Sequence, residues 1–474
     1  MILVLIGFLL VYWWGMPRII MVSPAPDEMD VSASTEIIIE FSRQMQLDSI
    51  LEHLTIEPEI SYSSQVNRRK FILTPKAPWI SGEAVRVELK SGARSIGLIP
   101  LVLSKGIVWS FKIRQPGLLY LYPADGPSNL YLLNLDSEES IPVTSHPNGI
   151  EDFSVNAEGT AIYYSARSGS SRSEIFRIEL AEAEEEPVGE SGSPDHNFYP
   201  VSIYICPQAL CRQPVASPDE NYLAFERIAL PGSDGPDYPQ VWHIALNQDS
   251  SSEAEGVKVD QPKAVLVGNV LHETLLPSWS SNGLLCFYDT NSAAYLFLDP
   301  VSQDIITFPN QTGQGGDWHP DGDSFIAPEI MFLKTSEAID DLEQIANSHL
   351  MLFNITDGSV QDLTPGGEIE DVDPAFSPDG QRLVFARKFL DVERWTPGRQ
   401  IWLLDLKGEN LQQLLQEPLY NHFDFSWNPS GEQIAYIRFN QSTLNEPPEI
   451  WLIDLRSGLN ERLVINGYAP QWLP

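Results

Sequence analysis

A short phrase recurs along the C-terminal part of this chain, and an internal repeat restricts a fold to an array of like units. The phrase is a large apolar residue, two small or polar residues, an acidic or polar residue, glycine, then an apolar strand. Its clearest copy is Phe376, Ser377, Pro378, Asp379, Gly380, followed by Leu383, Val384 and Phe385. Others run from Trp279 to Gly283, Trp318 to Gly322, Trp427 to Gly431 and, in degenerate form, Ala216 to Glu220. A further copy runs from Val155 to Gly159, and Asp152 to Asn156 matches Asp424 to Asn428 everywhere except Val155 against Trp427.

Each copy continues with a strand such as Leu383 to Ala386, a loop, and a second strand such as Ile401 to Leu406. The second strand returns at Ile175 to Leu180, Val241 to Leu246, Tyr295 to Asp299, Leu350 to Ile355 and Ile450 to Leu455. Alternating apolar residues between Pro, Asp and Gly turns predict short antiparallel strands, so each unit is a small up-and-down sheet. The anchors Val155, Ala216, Trp279, Trp318, Phe376, Trp427 and Trp472 lie about 40 to 60 residues apart, the spacing of four-stranded propeller blades with variable loops. Tyr468 to Trp472 opens a repeat that does not continue, whereas Leu118 to Tyr122, Asn129 to Leu135 and Ile141 to Val143 are a continuation without an opening. The expectation is that the C-terminal segment supplies the inner strand of the first blade and closes the ring. With that composite the count is seven blades, six or eight being the alternatives.

These phrases resemble the TolB-type, WD40-like propeller repeats of bacterial envelope proteins, whose signature is close to W-S-P-D-G before an apolar strand. The resemblance covers roughly residues 115–474 and implies a fold, not an activity, because a propeller hosts binding, scaffolding and catalysis alike.

The segment before the propeller has a different grammar. After Val22 to Pro26 come Thr35 to Ser42, Leu54 to Ile56, Lys70 to Thr74, Ala84 to Leu89 and Val108 to Ile113, spaced as in an all-β sandwich. Ile37, Ile39, Phe41, Ser42 and Met45 carry an F-S-x-x-M phrase that looks like the bacterial Ig-like domain of the surface-layer type, with Asp27 to Met29 where a glycine is usual. The predicted fold class is therefore all-β: an Ig-like β-sandwich over 21–114, a spacer in such proteins, followed by a β-propeller over 115–474.

Residues 1–20 read as a membrane segment. Met1 to Met16 is apolar and uncharged but shorter than the roughly 20 residues that span a bilayer, and Ile19 to Val22 would extend it past Pro17 and Arg18. No basic start or small-x-small cleavage site marks a removable signal, so an uncleaved anchor is the expectation and a cleaved signal the alternative. The 29 basic and 65 acidic side chains give a net charge of -36, which argues against nucleic acid or a bare anionic membrane surface as partner. Of three cysteines, Cys206 and Cys211 are close enough to form a disulfide in an oxidising compartment or to remain two thiols, and Cys286 reads as a core residue.

Chemical motifs are sparse. There is no Gly-x-Ser-x-Gly elbow, the eight histidines form no metal-binding pair, and His319 stands at a serine position of a repeat turn. Asp317, Asp321 and Asp323 form an incomplete calcium series. No catalytic residue, metal site or cofactor is expected. One regularity stands out: Arg227, Arg387 and Arg438 each lie seven residues beyond the turn glycine position, and Arg167 eight. Two readings are open: the arginines hold an anionic or carboxylate-bearing ligand at the propeller mouth, or each pairs locally with acids such as Glu226, Asp391 or Glu449. Long loops over Ile228 to Gln240, Pro328 to His349, Lys388 to Gln400 and Phe439 to Pro448 are either a binding face or tolerated growth. The third contains Phe389, Arg394 and Trp395, residue types common at interaction hot spots, and Ile339 to Ala346 is compatible with a short helix. Together these features predict a membrane-anchored, extracytoplasmic binding protein. Its partner would be an envelope protein, peptide or glycan, with a glycan-active hydrolase or lyase, or a structural surface component, as alternatives.

Overall fold

The computed structural model describes residues 16–473 apart from 30, 32–34, 77–78, 81, 98–99, 114–115, 136, 168–171, 181–197, 248–257, 260, 335–343, 408–409 and 444. The chain divides into two compact units, Met1–Pro116 with Asn134–Ser137, and Gly117–Leu133 with Glu138–Pro474.

The smaller unit is a sandwich of two antiparallel sheets. One orders its strands Ile19–Ser23, Ile37–Phe41, Lys70–Pro75 and Tyr62–Asn67, and the other Leu54–Glu57, Ala84–Leu89 and Ile107–Lys112. Alternation explains the core: Ile37, Ile39 and Phe41 are buried from the first sheet, Val85, Val87 and Leu89 from the second, with Trp79 and Phe111 between them. The F-S-x-x-M phrase places Phe41 and Met45 in that core, while the Ser42 hydroxyl accepts the Arg18 N–H at 3.0 Å. The short helix Leu47–Leu51 buries Ile50 against the same core. One expectation is corrected here. Ile19 to Val22 do not prolong a membrane segment, because Ile19–Ser23 pairs with Ile37–Phe41. Residues 1–15, which carry the predicted membrane segment, lie outside the described residues, among which no helix is long and apolar enough to cross a membrane.

The larger unit is a propeller-like array. Its strands occupy six sheets, one of them eight-stranded; that sheet divides into two halves joined by a single parallel bridge, Ser348 to Glu370. Taken by halves, the described strands make seven modules. The first is composite: Tyr468–Trp472 pairs antiparallel with Leu118–Tyr122, ahead of Asn129–Asn134 and Glu139–Pro142. Consecutive modules share apolar cores, as where Tyr163 and Ile175 meet Leu223 and Phe225, and where Val384 and Ile401 meet Trp427 and Tyr436.

The repeated phrase does two jobs. In its turn the Ser377 hydroxyl donates to the Asp379 carboxylate at 2.6 Å, Asp379 accepts the Gln381 N–H at 3.1 Å, and Gly380 supplies the left-handed φ of 66°. Its aromatic anchor clips neighbouring modules together. Trp279, Trp427 and Trp472 donate Nε1–H to the carbonyls of Val215, Ala375 and Ser426 at 3.1, 3.0 and 3.1 Å, and Trp318 donates to the Ser278 hydroxyl at 3.2 Å. The Trp472 bond joins the last module to the first.

Pro328 to His349 is not a loop. Ser324–Lys334 and Gln344–Asn354 pair along their whole length, from Ser324 opposite Asn354 to Lys334 opposite Gln344, so the described part of this stretch is two long paired strands. Gln344 to Ala346 of the predicted short helix lie in that second strand, where strand pairing overrides local propensity; the remainder falls outside the described residues.

Candidate functional site

The first strand of most modules is bulged, and the bulge carries a residue of positive φ: Gln213, Leu276, Asp373, Asp424 and Ala469, at 49, 58, 56, 57 and 51°. At Gln213, Leu276, Asp424 and Ala469 the backbone N–H is accepted by a carboxylate of the preceding module. Asp152 Oδ2 takes the Gln213 N–H at 3.3 Å, Asp373 Oδ2 takes that of Asp424, and Asp424 takes that of Ala469. Where Gln213 replaces the acid, Glu226 on the adjacent strand substitutes, accepting from Leu276 N–H at 2.8 Å. Asp317 accepts from Phe376 N–H at 2.7 Å.

Asp152, Asp317, Asp373 and Asp424 are half-buried, and burial sets their chemistry. It pushes Asp424 up to about 7, with the neighbouring Asp373 charge adding to the rise. Asp152 and Asp317 are pushed up to about 6 by burial, against the backbone N–H groups they accept. Asp373 is raised for the same reason, with Arg399 opposing.

Beside Asp373 opens a cavity of about 360 Å³ lined by Gln314, Gly315, Val372, Asp373, Arg399, Asn421, Phe423 and Phe439. Three modules contribute: Gln314 and Gly315 just before Asp317–Trp318, Val372 and Asp373 in Ile369–Phe376 with Arg399 before Gln400–Asp405, and Asn421, Phe423 and Phe439 from Tyr420–Trp427 and Gln433–Asn440. Arg399 is held by Glu370, which accepts its Nε–H at 2.8 Å, and by Asn421 Oδ1, which accepts its backbone N–H at 3.1 Å. Phe423 and Phe439 meet edge to face with centroids 5.6 Å apart. Aromatic walls, a carboxylate, a guanidinium and an amide suit reversible binding of a side chain or short segment.

Most of the arginines singled out by spacing are paired locally. Arg387 is buried and forms a bidentate pair with Asp371, both contacts 2.6 Å, while its guanidinium lies 5.2 Å from the Trp402 ring centre. Arg438 bonds Glu417 at 2.8 and 2.7 Å and Glu449 at 3.0 Å, and stacks on Trp451 at 3.7 Å. Arg167 pairs with Glu151 and Arg394 with Asp391. Arg227 lies over Trp242 at 5.2 Å. Trp395 is half exposed with the Lys388 ammonium 4.8 Å from its ring centre. Of the acids proposed as local partners, Glu449 and Asp391 serve, for Arg438 and Arg394, whereas Glu226 pairs with Arg212. The spacing therefore marks a cross-strand arginine-on-tryptophan stack repeated in three modules.

Cys206 and Cys211 form a disulfide, and Cys286 is a free, buried thiol. His319 serves its turn, its Nδ1 accepting the Asp321 N–H at 3.3 Å. Asp317, Asp321 and Asp323 answer separate donors, and among the described residues no group of side chains is arranged to hold a metal ion. The cavity residues Asp373, Arg399, Asn421 and Phe423 were missed from sequence. The usable signal was the acid three residues before the anchor, visible at Asp152, Asp373 and Asp424.

No curated protein matches the chain. TolB from Acinetobacter baumannii matches at 12% identity over 97% of this chain and 99% of its own, with a TM-score of 0.41. The β-propeller domain of the Trilobed protease from Pyrococcus furiosus matches at 13% identity over 66% and 82%, with a TM-score of 0.43. A protein from Lactobacillus plantarum matches at 9% identity over 76% and 99%, with a TM-score of 0.46. Residues 15–112 match the bacterial Ig-like domain family, so the chain carries an Ig-like domain of that family ahead of its propeller-like array.

Proposed function

We propose that this chain is an extracytoplasmic binding scaffold. The apolar start of the chain, ahead of Ile19–Ser23, anchors it in the membrane, the Ig-like unit spaces it from the bilayer, and a seven-bladed propeller holds a protein, peptide or glycan at its mouth. The observation that carries this reading is the cavity of about 360 Å³, built by three modules and lined in part by Arg399 and Phe439 from two of the long loops. The Cys206–Cys211 disulfide supports an oxidising compartment. The neighbouring carboxylates favour scaffolding over acid–base catalysis, because each is occupied with the backbone N–H of the next module.

Gly315 provides the test, since a Cβ there meets nothing within 4 Å and Gly315→Trp fills the cavity without disturbing its walls. Envelope proteins and glycans crosslinked to the native chain and identified by mass spectrometry are expected to vanish from the Gly315→Trp variant while its circular dichroism is unchanged. An identical partner set for both proteins would overturn the assignment of the mouth.

A further inference from the structure

Arg227, Arg387 and Arg438 occupy one register position in three modules, which allows them to be compared directly. Each stands opposite the residue that opens the third strand: Gln240, Gln400 and Glu449. Each lies over the tryptophan two residues further on, at 5.2, 5.2 and 3.7 Å. On the first strand they face Cys211, Asp371 and His422. Asp371 fills the fork of Arg387, and Glu417 with Glu449 fills that of Arg438. In the third module the equivalent of Asp371 is Cys211, committed to the disulfide. The nearby Glu226 is occupied by Arg212 and the Leu276 N–H. Arg227 therefore keeps the aromatic half of the arrangement and, among the described residues, has no carboxylate.

The groups beside it repeat the deficit. Among the described residues Gln240, 1% exposed, has no acceptor for its Nε2, whereas Gln400 Nε2 donates to the carbonyls of Gly398 and Glu417, both at 3.1 Å. Among the same residues Trp242 Nε1 is buried without an acceptor, as is Trp402 Nε1, whereas Trp451 Nε1 donates to Glu449 at 2.8 Å. Buried donors are normally satisfied, so a cluster of donors with no acceptor creates a positive local field in a chain of net charge -36. Tyr204, packed against Phe225 with centroids 5.6 Å apart, lies within the reach of the same guanidinium charge. Arg227 is half-buried. Over it runs the turn carrying Gly235, where a Cβ would come within 3.6 Å of Arg227 Nη1.

We propose that Arg227 is a docking point for a carboxylate, stacked on Trp242 and doing for the third module what Asp371 does for the sixth. A carboxylate offers two coplanar acceptors to the guanidinium fork at the cost of one negative charge, whereas a phosphate or sulfate dianion meets stronger repulsion from the acidic surface. The inference is independent of the cavity beside Asp373, which is built by other modules.

The test is a crystal of the full chain soaked in 4-bromobenzoate, whose aryl bromide is inert to protein nucleophiles, with acetate against chloride at matched ionic strength as the solution counterpart. The expected result is a bromine anomalous peak beside the Arg227 guanidinium, and a rise in melting temperature with acetate but not chloride. Arg227→Gln is expected to abolish the peak and weaken acetate binding about tenfold, with Arg227→Lys in between. Gly315→Trp should leave both signals unchanged, which separates this inference from the proposed role of the mouth. A peak absent from the native crystal, occupancy by phosphate in preference, or an acetate response retained by Arg227→Gln would overturn it.

Discussion

Replacing Arg387 with methionine isolates one buried ion pair. The arginine side chain is 7% exposed and that of Asp371 is fully buried, and both carboxylate oxygens are engaged by the guanidinium at 2.6 Å. Methionine keeps an apolar stem near Trp402 but leaves a carboxylate in a closed site, a change that costs about 3–5 kcal/mol. The penalty must depend on pH. Burial already raises Asp371 despite the opposing Arg387 charge, and removing that charge raises it further. A carboxyl whose folded pKa lies above its unfolded value takes up a proton first in the folded state, so stability is regained as pH falls. Urea unfolding of the larger unit should therefore show a large loss at pH 8 and a small one near pH 5. Arg387→Met/Asp371→Asn, which leaves no stranded charge, should recover most of the loss at pH 8. A penalty below about 1 kcal/mol, or one independent of pH and not rescued by the second substitution, would refute the argument that the pair exists to satisfy a buried charge.

The carboxylates of the first strands give the native chain a related dependence. Since Asp424 is pushed up to about 7 and Asp152 and Asp317 to about 6, all above their unfolded values, melting of the larger unit should rise as pH falls from 8 through this window, and Asp424→Asn should flatten the slope. Trp427→Phe removes one Nε1–H bond between modules and should cost about 1 kcal/mol in chemical denaturation, whereas Trp427→Ala also opens a cavity and should cost about 3–5 kcal/mol. Cys206→Ser with Cys211→Ser opens a short loop and should cost about 2 kcal/mol, and reductant should then leave the melting curve of the double variant unmoved.

The repeat was legible because its turn residues act locally, Ser377, Asp379 and Gly380 bonding one another, and because the anchor makes the same reach to the preceding module at Trp279, Trp427 and Trp472. Leu118–Tyr122 and Ala84–Leu89 carry an apolar pattern clear enough that their predicted bounds are the observed ones. Tyr62–Asn67 was overlooked because it is polar and half exposed, pairing with Lys70–Pro75 and setting only Tyr62 and Val66 against the core. Ile19–Ser23 was absorbed into the hydrophobic start because Ile-Ile-Met-Val reads alike in a sheet and in a bilayer. The arginine spacing was seen, but spacing does not reveal the cross-strand neighbour, and Asp371 lies 16 residues before Arg387. The cavity was beyond reach for a stronger form of the same reason: Gly315, Asp373 and Phe439 belong to three modules, and only the assembled array brings them to one place.

The composite first module has a consequence for biosynthesis. The bond between Tyr468 and Ser128 joins residues 340 apart, so at about 5–20 residues per second the ribosome delivers the partner of Leu118–Tyr122 roughly 17–70 s after that strand emerges. Through that interval the Leu-Leu-Tyr-Leu edge has no partner on its inner side, and such an edge templates pairing with other chains. The nascent chain thus meets its greatest hazard of misassembly before its last strand exists, and a chaperone or a passing translocation channel that shields this one edge would govern yield more than any contact in the finished molecule.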